Sequence, residues 1–356
     1  MKKLKVVLAG LGFGASFAEI YKEHPLVEEL SVFDPNRELE ETFRKKLGIK
    51  KQYKTFDEVV SDSEIDAVQL MTPIPLHVEQ SIALLNAGKH CACAVPMANS
   101  LEEIQRVTEA KRKSGKNYMM METELYTDHF FYAQKMIKDG TLGKIQFIRG
   151  SHYQDMQNWP EYWMGLPPMY YGTHAIGPMV ALSGSRIKRV HCFGSGTMEE
   201  WMTKRYSNPF PVESALFEFE NGLKGEATRS LFETARAFQM GFFVYGSKAC
   251  FEWGFSHSDD PYVTVMLPPQ KGVRGAEITV NQVHMPNSSD SLPDEIKRFS
   301  VGYGSHAHLI HEFLCSIVEN RKPWIDEVLS GNITAAGICA HESAMKNGAE
   351  VIVPEF

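Results

Sequence analysis

The chain has 356 residues, 43% hydrophobic and 23% charged, with 37 basic and 44 acidic residues and a formal net charge of −7. That length favours two domains, and that composition excludes a disordered, collagen-like or coiled-coil chain. No Lys/Arg run is long enough to track a phosphate backbone, which argues against nucleic acid, and no run of about 18 apolar residues exists to span a membrane. The opening Met1-Lys2-Lys3-Leu4-Lys5 looks superficially like a secretion signal. The apolar run after it breaks at Gly10 and Gly12, so a first β-strand over 4–9 explains it better. Residues 13–23 then read as a helix, 30–33 as a strand, and a charged helix runs to Leu47. Strands over 67–71, 90–95 and 118–121 alternate with helices over 76–87 and 101–114, closed by Gly88 and Gly115. Repeated strand–helix units predict a parallel sheet with helices on both faces.

The pattern changes after Gly143. Residues 145–153 alternate like a half-buried strand, and 190–194, 214–220, 223–229, 238–245 and 249–253 read as strands joined by turns such as Asn221-Gly222. These predict a mostly antiparallel sheet. Residues 255–300, rich in Pro, Ser, Asp and Gly, read as long loops around short strands, followed by helices near 305–319 and 330–347. The fold class expected is α/β: an N-terminal Rossmann domain over 1–123, then an α+β domain over 124–356 with a large, mostly antiparallel open sheet. Six scattered cysteines without a CxxC pair read as reduced thiols of a cytoplasmic protein, and Cys91-x-Cys93 lacks a second ligand pair for a metal.

The first strand runs into Gly10-Leu11-Gly12-Phe13-Gly14-Ala15, a GxGxxA turn between a predicted strand and a predicted helix. The first Gly allows the tight turn, the second lets backbone approach a pyrophosphate, and Ala15 permits close helix–strand packing. The helix N-terminus then offers N–H groups and a positive dipole end to the phosphates. Asp34 closes the second strand, 22 residues after Gly12, where a carboxylate accepts ribose hydroxyls and repels a 2′-phosphate. The pattern points to NAD, with NADP less favoured; Arg37, three residues on, leaves some room for it.

Four further segments carry a resemblance. Asp66-Ala67-Val68-Gln69-Leu70-Met71-Thr72-Pro73-Ile74-Pro75-Leu76-His77, Ala87-Gly88-Lys89-His90, Gly140-Thr141-Leu142-Gly143-Lys144-Ile145 and Gly172-Thr173-His174 follow the Gly-rich turn in order. Together they resemble the glucose–fructose oxidoreductase/inositol dehydrogenase/MocA (Gfo/Idh/MocA) family. The resemblance implies a substrate domain presenting a sugar or polyol to the nicotinamide, with dimers or tetramers packed through the C-terminal sheet. It also implies that Thr72, Pro73, His77, Val95 and Pro96 lie along the cofactor. The family's usual Glu-Lys-Pro is Ala94-Val95-Pro96 here, and its frequent Asp four residues before the catalytic His is Tyr170. Val95 cannot hydrogen-bond a reacting hydroxyl as the family's lysine does.

His174 is the first candidate for acid–base catalysis, since an imidazole can take a hydroxyl proton near neutral pH. A capping or core histidine is the structural alternative. Tyr170 and Tyr171 offer phenols or an aromatic wall, and Tyr153 and Trp163 belong to an aromatic segment suited to the C–H face of a sugar or to a subunit interface. Glu122 and Glu124 follow the last Rossmann strand; if the chain is still extended there, residues two apart share a face. His306, His308, His311 and Glu312 invite a metal reading, but no HExxH pattern is present and none is expected to bind. The expected function is an NAD-dependent oxidoreductase. Two alternatives stay open: redox-neutral NAD-dependent cleavage or epimerisation of a glycoside, and a non-catalytic sensor of cofactor or sugar.

Overall fold

In a computed structural model that describes residues 2–254, 259–300 and 304–356, the N-terminal half begins with β1 (Leu4–Ala9), α1 (Ala15–Glu23) and β2 (Val27–Phe33). It continues through α2 (Arg37–Leu47), α3 (Phe56–Ser61), β3 (Ala67–Leu70), α4 (His77–Asn86), β4 (His90–Cys93), α5 (Leu101–Ser114) and β5 (Tyr118–Met120). Met1, at the head of the signal-like stretch, and 255–258, inside the segment read as loops, lie outside the described residues. The helices start and stop where local chemistry says they should. The Ser100 hydroxyl accepts the Glu103 N–H at 3.2 Å while the Glu103 carboxylate reaches back to the Asn99 N–H at 2.9 Å. Gly115 then closes α5 at φ 66°, a left-handed position that suits glycine. Among the described residues the five strands form one parallel sheet in the order β2-β1-β3-β4-β5. The winding reverses beside β1, so the crevice for a ligand falls at the carboxyl ends of β1 and β3.

The second half contains α6 (Asp128–Lys138), β6 (Ile145–Tyr153), α7 (Thr173–Ser183), β7 (Ile187–Ser195), α8 (Glu200–Thr203), β8 (Val212–Phe219) and β9 (Lys224–Ser230). Then come β10 (Gln239–Gly246), β11 (Ala249–Trp253), β12 (Tyr262–Met266), β13 (Ile278–Gln282), α9 (Ser305–Val318), α10 (Glu327–Met345) and β14 (Val351–Ile352). Among the described residues nine strands form a sheet in the order β13-β12-β11-β10-β6-β9-β8-β7-β14. The β6–β9 pair is parallel and the other pairs are antiparallel. This is the α/β class expected, with a mostly antiparallel second sheet.

Two compact units emerge. One is Met1–Tyr126 with Asn287–Gly331 and Phe356; the other is Thr127–Pro286 with Asn332–Glu355. In the second, α7 is buried along nearly its whole length and packs on β6, β9 and β10. A Cβ added at Gly150 in β6 would sit 2.0 Å from the Ala175 carbonyl oxygen, so only glycine lets α7 lie this close to the strand.

Candidate functional site

In the first unit the Gly-rich turn has the shape of a phosphate cradle. Gly10 adopts φ +93°, and a Cβ there would lie 2.5 Å from the Met71 carbonyl oxygen. A Cβ on Gly14 would lie 2.0 Å from the Gly10 carbonyl oxygen. Gly12 faces open space with nothing within 4 Å, the one position of the three where a side chain would fill the cradle and not the protein. No side chain caps the N-terminus of α1, leaving that end to a ligand. Asp34 follows β2 directly; its carboxylate accepts the Leu11 N–H at 2.7 Å and the Asn36 N–H at 2.8 Å, which fixes it against the turn. The donors, the acid and the open glycine together fit a dinucleotide. Gly12→Val is therefore expected to abolish NAD binding in calorimetry while leaving the melting temperature within about 2 °C of the parent, since a Cβ there meets no protein atom within 4 Å.

Arg37 is turned away from that site. Its guanidinium donates to the carbonyl oxygens of Tyr53, at 2.6 Å, and Lys54, and lies 3.8 Å from Glu40. Phe13 is 64% exposed and meets Phe17 and His306 edge-on, with His306 stacked on Phe17 at 4.1 Å. Thr72 donates its hydroxyl to Gln80 at 2.6 Å, and Val95 is buried. His77 starts α4 as expected, but both of its ring nitrogens point at backbone carbonyls, those of Pro96 and Thr72.

The chain is not extended at Glu122 and Glu124. β5 ends at Met120, and 123–126 form a 3₁₀ turn in which the Glu124 N–H donates to the Glu122 carboxylate at 3.1 Å. The face-sharing argument therefore does not apply. Both carboxyls are fully buried, and burial with the neighbouring Glu122 pushes Glu124 well above the usual carboxylate range.

In the second unit an aromatic and imidazole cluster surrounds His174, in the first turn of α7. The His174 ring lies 5.1 Å from that of His152 and 5.4 Å from that of Tyr171, centroid to centroid. Trp163 meets Tyr171 edge-on at 4.8 Å. Tyr153 and Tyr170 are half-buried, Tyr153 under the Arg236 guanidinium and Tyr170 edge-on to His341. Tyr153, Trp163, Tyr170, Tyr171 and His174 thus all belong to this unit.

Three residues that sequence reasoning did not single out, Arg229, Glu213 and His341, hold the cluster. Arg229, fully buried, donates to the carbonyl oxygens of Tyr171 (3.0 Å), His152 (3.1 Å) and Ser230 and to the Gln154 side chain (3.2 Å), with its Cζ 5.4 Å from the Tyr171 ring centroid. Burial pushes the guanidinium down to about 9, which still leaves it charged at neutral pH. Glu213, also fully buried, accepts from the Met169 N–H at 2.8 Å and pairs with His341 at 2.6 Å. These contacts pin the Pro168–Tyr171 turn that leads into α7. One signal was present: Glu213 and Arg229 stand in the inward phase of strands whose other inward residues are Ala215 and Phe217, and Gly225 and Ala227.

The α9 histidines are dispersed. His306 stacks on Phe17, His308 meets the Ser288 hydroxyl at 2.9 Å, and His311 meets His24 at 3.1 Å. Glu312 binds Arg321. Among the described residues no helix is long and apolar enough to cross a membrane.

Residues 4–122 match the oxidoreductase family with an NAD-binding Rossmann fold, and residues 130–252 match the GFO/IDH/MocA C-terminal domain. The chain belongs to the Gfo/Idh/MocA family. Among curated relatives, it is 26% identical over 190 residues to a glycosyl hydrolase family 109 protein of Porphyromonas gingivalis, covering 49% of this chain and 38% of that one. It is 29% identical over 164 residues to levoglucosan dehydrogenase of Pseudarthrobacter phenanthrenivorans, covering 44% and 42%. The match therefore spans less than half the length of either relative. Among solved structures, levoglucosan dehydrogenase in complex with NADH and levoglucosan superposes with a TM-score of 0.80 at 21% identity, over 99% of this chain and 100% of that one. Myo-inositol 2-dehydrogenase from Lactobacillus plantarum gives 0.77 at 18%, over 99% and 100%. As a Gfo/Idh/MocA member, the chain has an NAD-binding Rossmann domain.

Proposed function

We propose that this Gfo/Idh/MocA protein is an NAD-dependent oxidoreductase acting on a hydroxyl of a sugar, polyol or glycoside, with His174 as its acid–base residue. The observation that carries the reading is the setting of His174: a buried imidazole at the start of α7, ringed by His152 and Tyr171 and braced by Arg229. Gly10, Gly12, Phe13, Gly14, Asp34, Thr72, Pro73, Val95 and Pro96 would hold the cofactor. The occupied Arg37 and the fixed Asp34 carboxylate favour NAD over NADP. Bound NAD supplies a hydride acceptor for the substrate carbon. His174 takes the hydroxyl proton as that carbon is oxidised and returns it in the reverse direction. Tyr153, Trp163 and Tyr171 offer aromatic faces to the C–H face of a sugar, and Tyr170 a phenol to its oxygens. Glu122 or Glu124 would contact a substrate hydroxyl, with burial and its neighbour holding Glu124 well above the usual carboxylate range.

A second reading is favoured by one observation. The resemblance puts Val95 where the family usually carries a lysine, and the loss of that lysine fits a shift away from net oxidation. The similarity to a glycosyl hydrolase family 109 protein is consistent with it. The two readings differ in product. Free sugar released from a glycoside, dependent on added NAD and without NADH accumulating, would favour the redox-neutral reaction; NADH formed in step with product would rule it out.

A further inference from the structure

His77 is 1% exposed, and its two ring nitrogens face two oxygens that can only accept: Nδ1 lies 2.8 Å from the Pro96 carbonyl oxygen and Nε2 lies 2.9 Å from that of Thr72. A neutral imidazole has one N–H, so one nitrogen would then present its lone pair to a carbonyl lone pair. Only the imidazolium donates to both. The two carbonyls belong to the segments that leave the carboxyl ends of adjacent parallel strands, β3 and β4. Those ends border the crevice in which a dinucleotide lies.

We propose that His77 is a positively charged clasp that fixes the spacing between the Thr72–Pro73 and Val95–Pro96 segments, and so sets NAD affinity without touching NAD. It is a positioning residue. Two effects oppose its charge: burial, and its place at the N-terminal end of α4, where a helix dipole disfavours a cation. Against them stand the two carbonyl oxygens and, when it carries a thiolate, Cys93 on β4. The balance, with burial pulling down and Cys93 and the carbonyls pushing up, leaves His77 at about 9. Behind Cys93 lie Cys91 on the same strand and Tyr118 on β5, both held protonated by burial.

A folded-state value raised above 6.5 to about 9 keeps the cation throughout neutral pH and loses it as pH rises through 9. The clasp then gives up one hydrogen bond and NAD affinity falls.

The inference rests on NAD being the cofactor, and the test separates the two. NAD dissociation constants are measured by calorimetry on the full chain and on His77→Gln from neutral pH upward, and 15N-histidine spectra report the His77 ring nitrogens in the parent. Both nitrogens protonated at neutral pH are expected, with parent affinity falling above pH 9. His77→Gln is expected to bind NAD roughly tenfold or more weakly at neutral pH, as befits loss of a charged hydrogen bond, and to lack that fall. A singly protonated ring at neutral pH, or a folded His77→Gln within about twofold of the parent, overturns the clasp. Should His77→Gln fail to fold, the parent's spectra still decide. A parent that binds no NAD overturns the cofactor reading, while a doubly protonated ring in that sample still upholds the charged clasp.

Discussion

His174→Ala is expected to lower turnover by roughly 10²–10⁴-fold, the range that one positioned acid–base group contributes, and to leave NAD affinity unchanged if His174 is the acid–base residue proposed. The split follows from the proposed roles: His174 handles the substrate's proton, whereas the Gly-rich turn, Asp34 and Thr72 hold the cofactor. The check is kcat on the responding substrate beside calorimetric NAD binding. His174→Gln keeps a polar side chain of similar reach but cannot exchange a proton at neutral pH, so it fails equally. A variant with kcat within about threefold of the parent would remove His174 from the chemistry and move the protein towards sensing cofactor or sugar.

The second large effect is on stability. Arg229→Leu is expected to destabilise the second unit by about 4 kcal/mol, because it leaves the four acceptors on Tyr171, His152, Ser230 and Gln154 without a shared donor at roughly 1 kcal/mol each. For a unit of this size the melting temperature falls by about 10 °C, read from the circular-dichroism transition. Arg229→Lys recovers little, since a single ammonium cannot reproduce a planar fork of five donors. The turn before α7 loosens with the loss, so kcat falls even well below the melting transition. An Arg229→Leu protein melting within about 2 °C of the parent would mean that this network does not hold the cluster.

Much of the first unit could be read from the sequence because its signals are local. Gly10, Gly12 and Gly14 sit between a strand and a helix within a few residues, and Ser100 and Gly115 mark both ends of α5. Strand and helix ends moved by a few residues: α1 starts at Ala15 after the turn, and β2 begins at Val27. The 3₁₀ turn at 123–126 was missed because nothing in Glu122-Thr123-Glu124 forbids an extended chain.

The braces of the second unit were less legible. Arg229 meets Tyr171 across 58 positions and Glu213 meets His341 across 128, and no local rule reaches that far. Period-two alternation could have flagged both charges on inward faces, though not their partners. Gly150 gave no turn signal either. Its importance comes from the Ala175 carbonyl that α7 lays against it.

Net hydride transfer from a sugar-like hydroxyl to NAD is read by reduced-nicotinamide absorbance. Purified protein with NAD is mixed with a panel of sugars, polyols and glycosides. Steady growth of the NADH signal with at least one of them, far beyond one equivalent of enzyme and lost in His174→Ala, is the predicted result. A burst no larger than the enzyme concentration, or no signal with any of them while NAD binds normally, would contradict it.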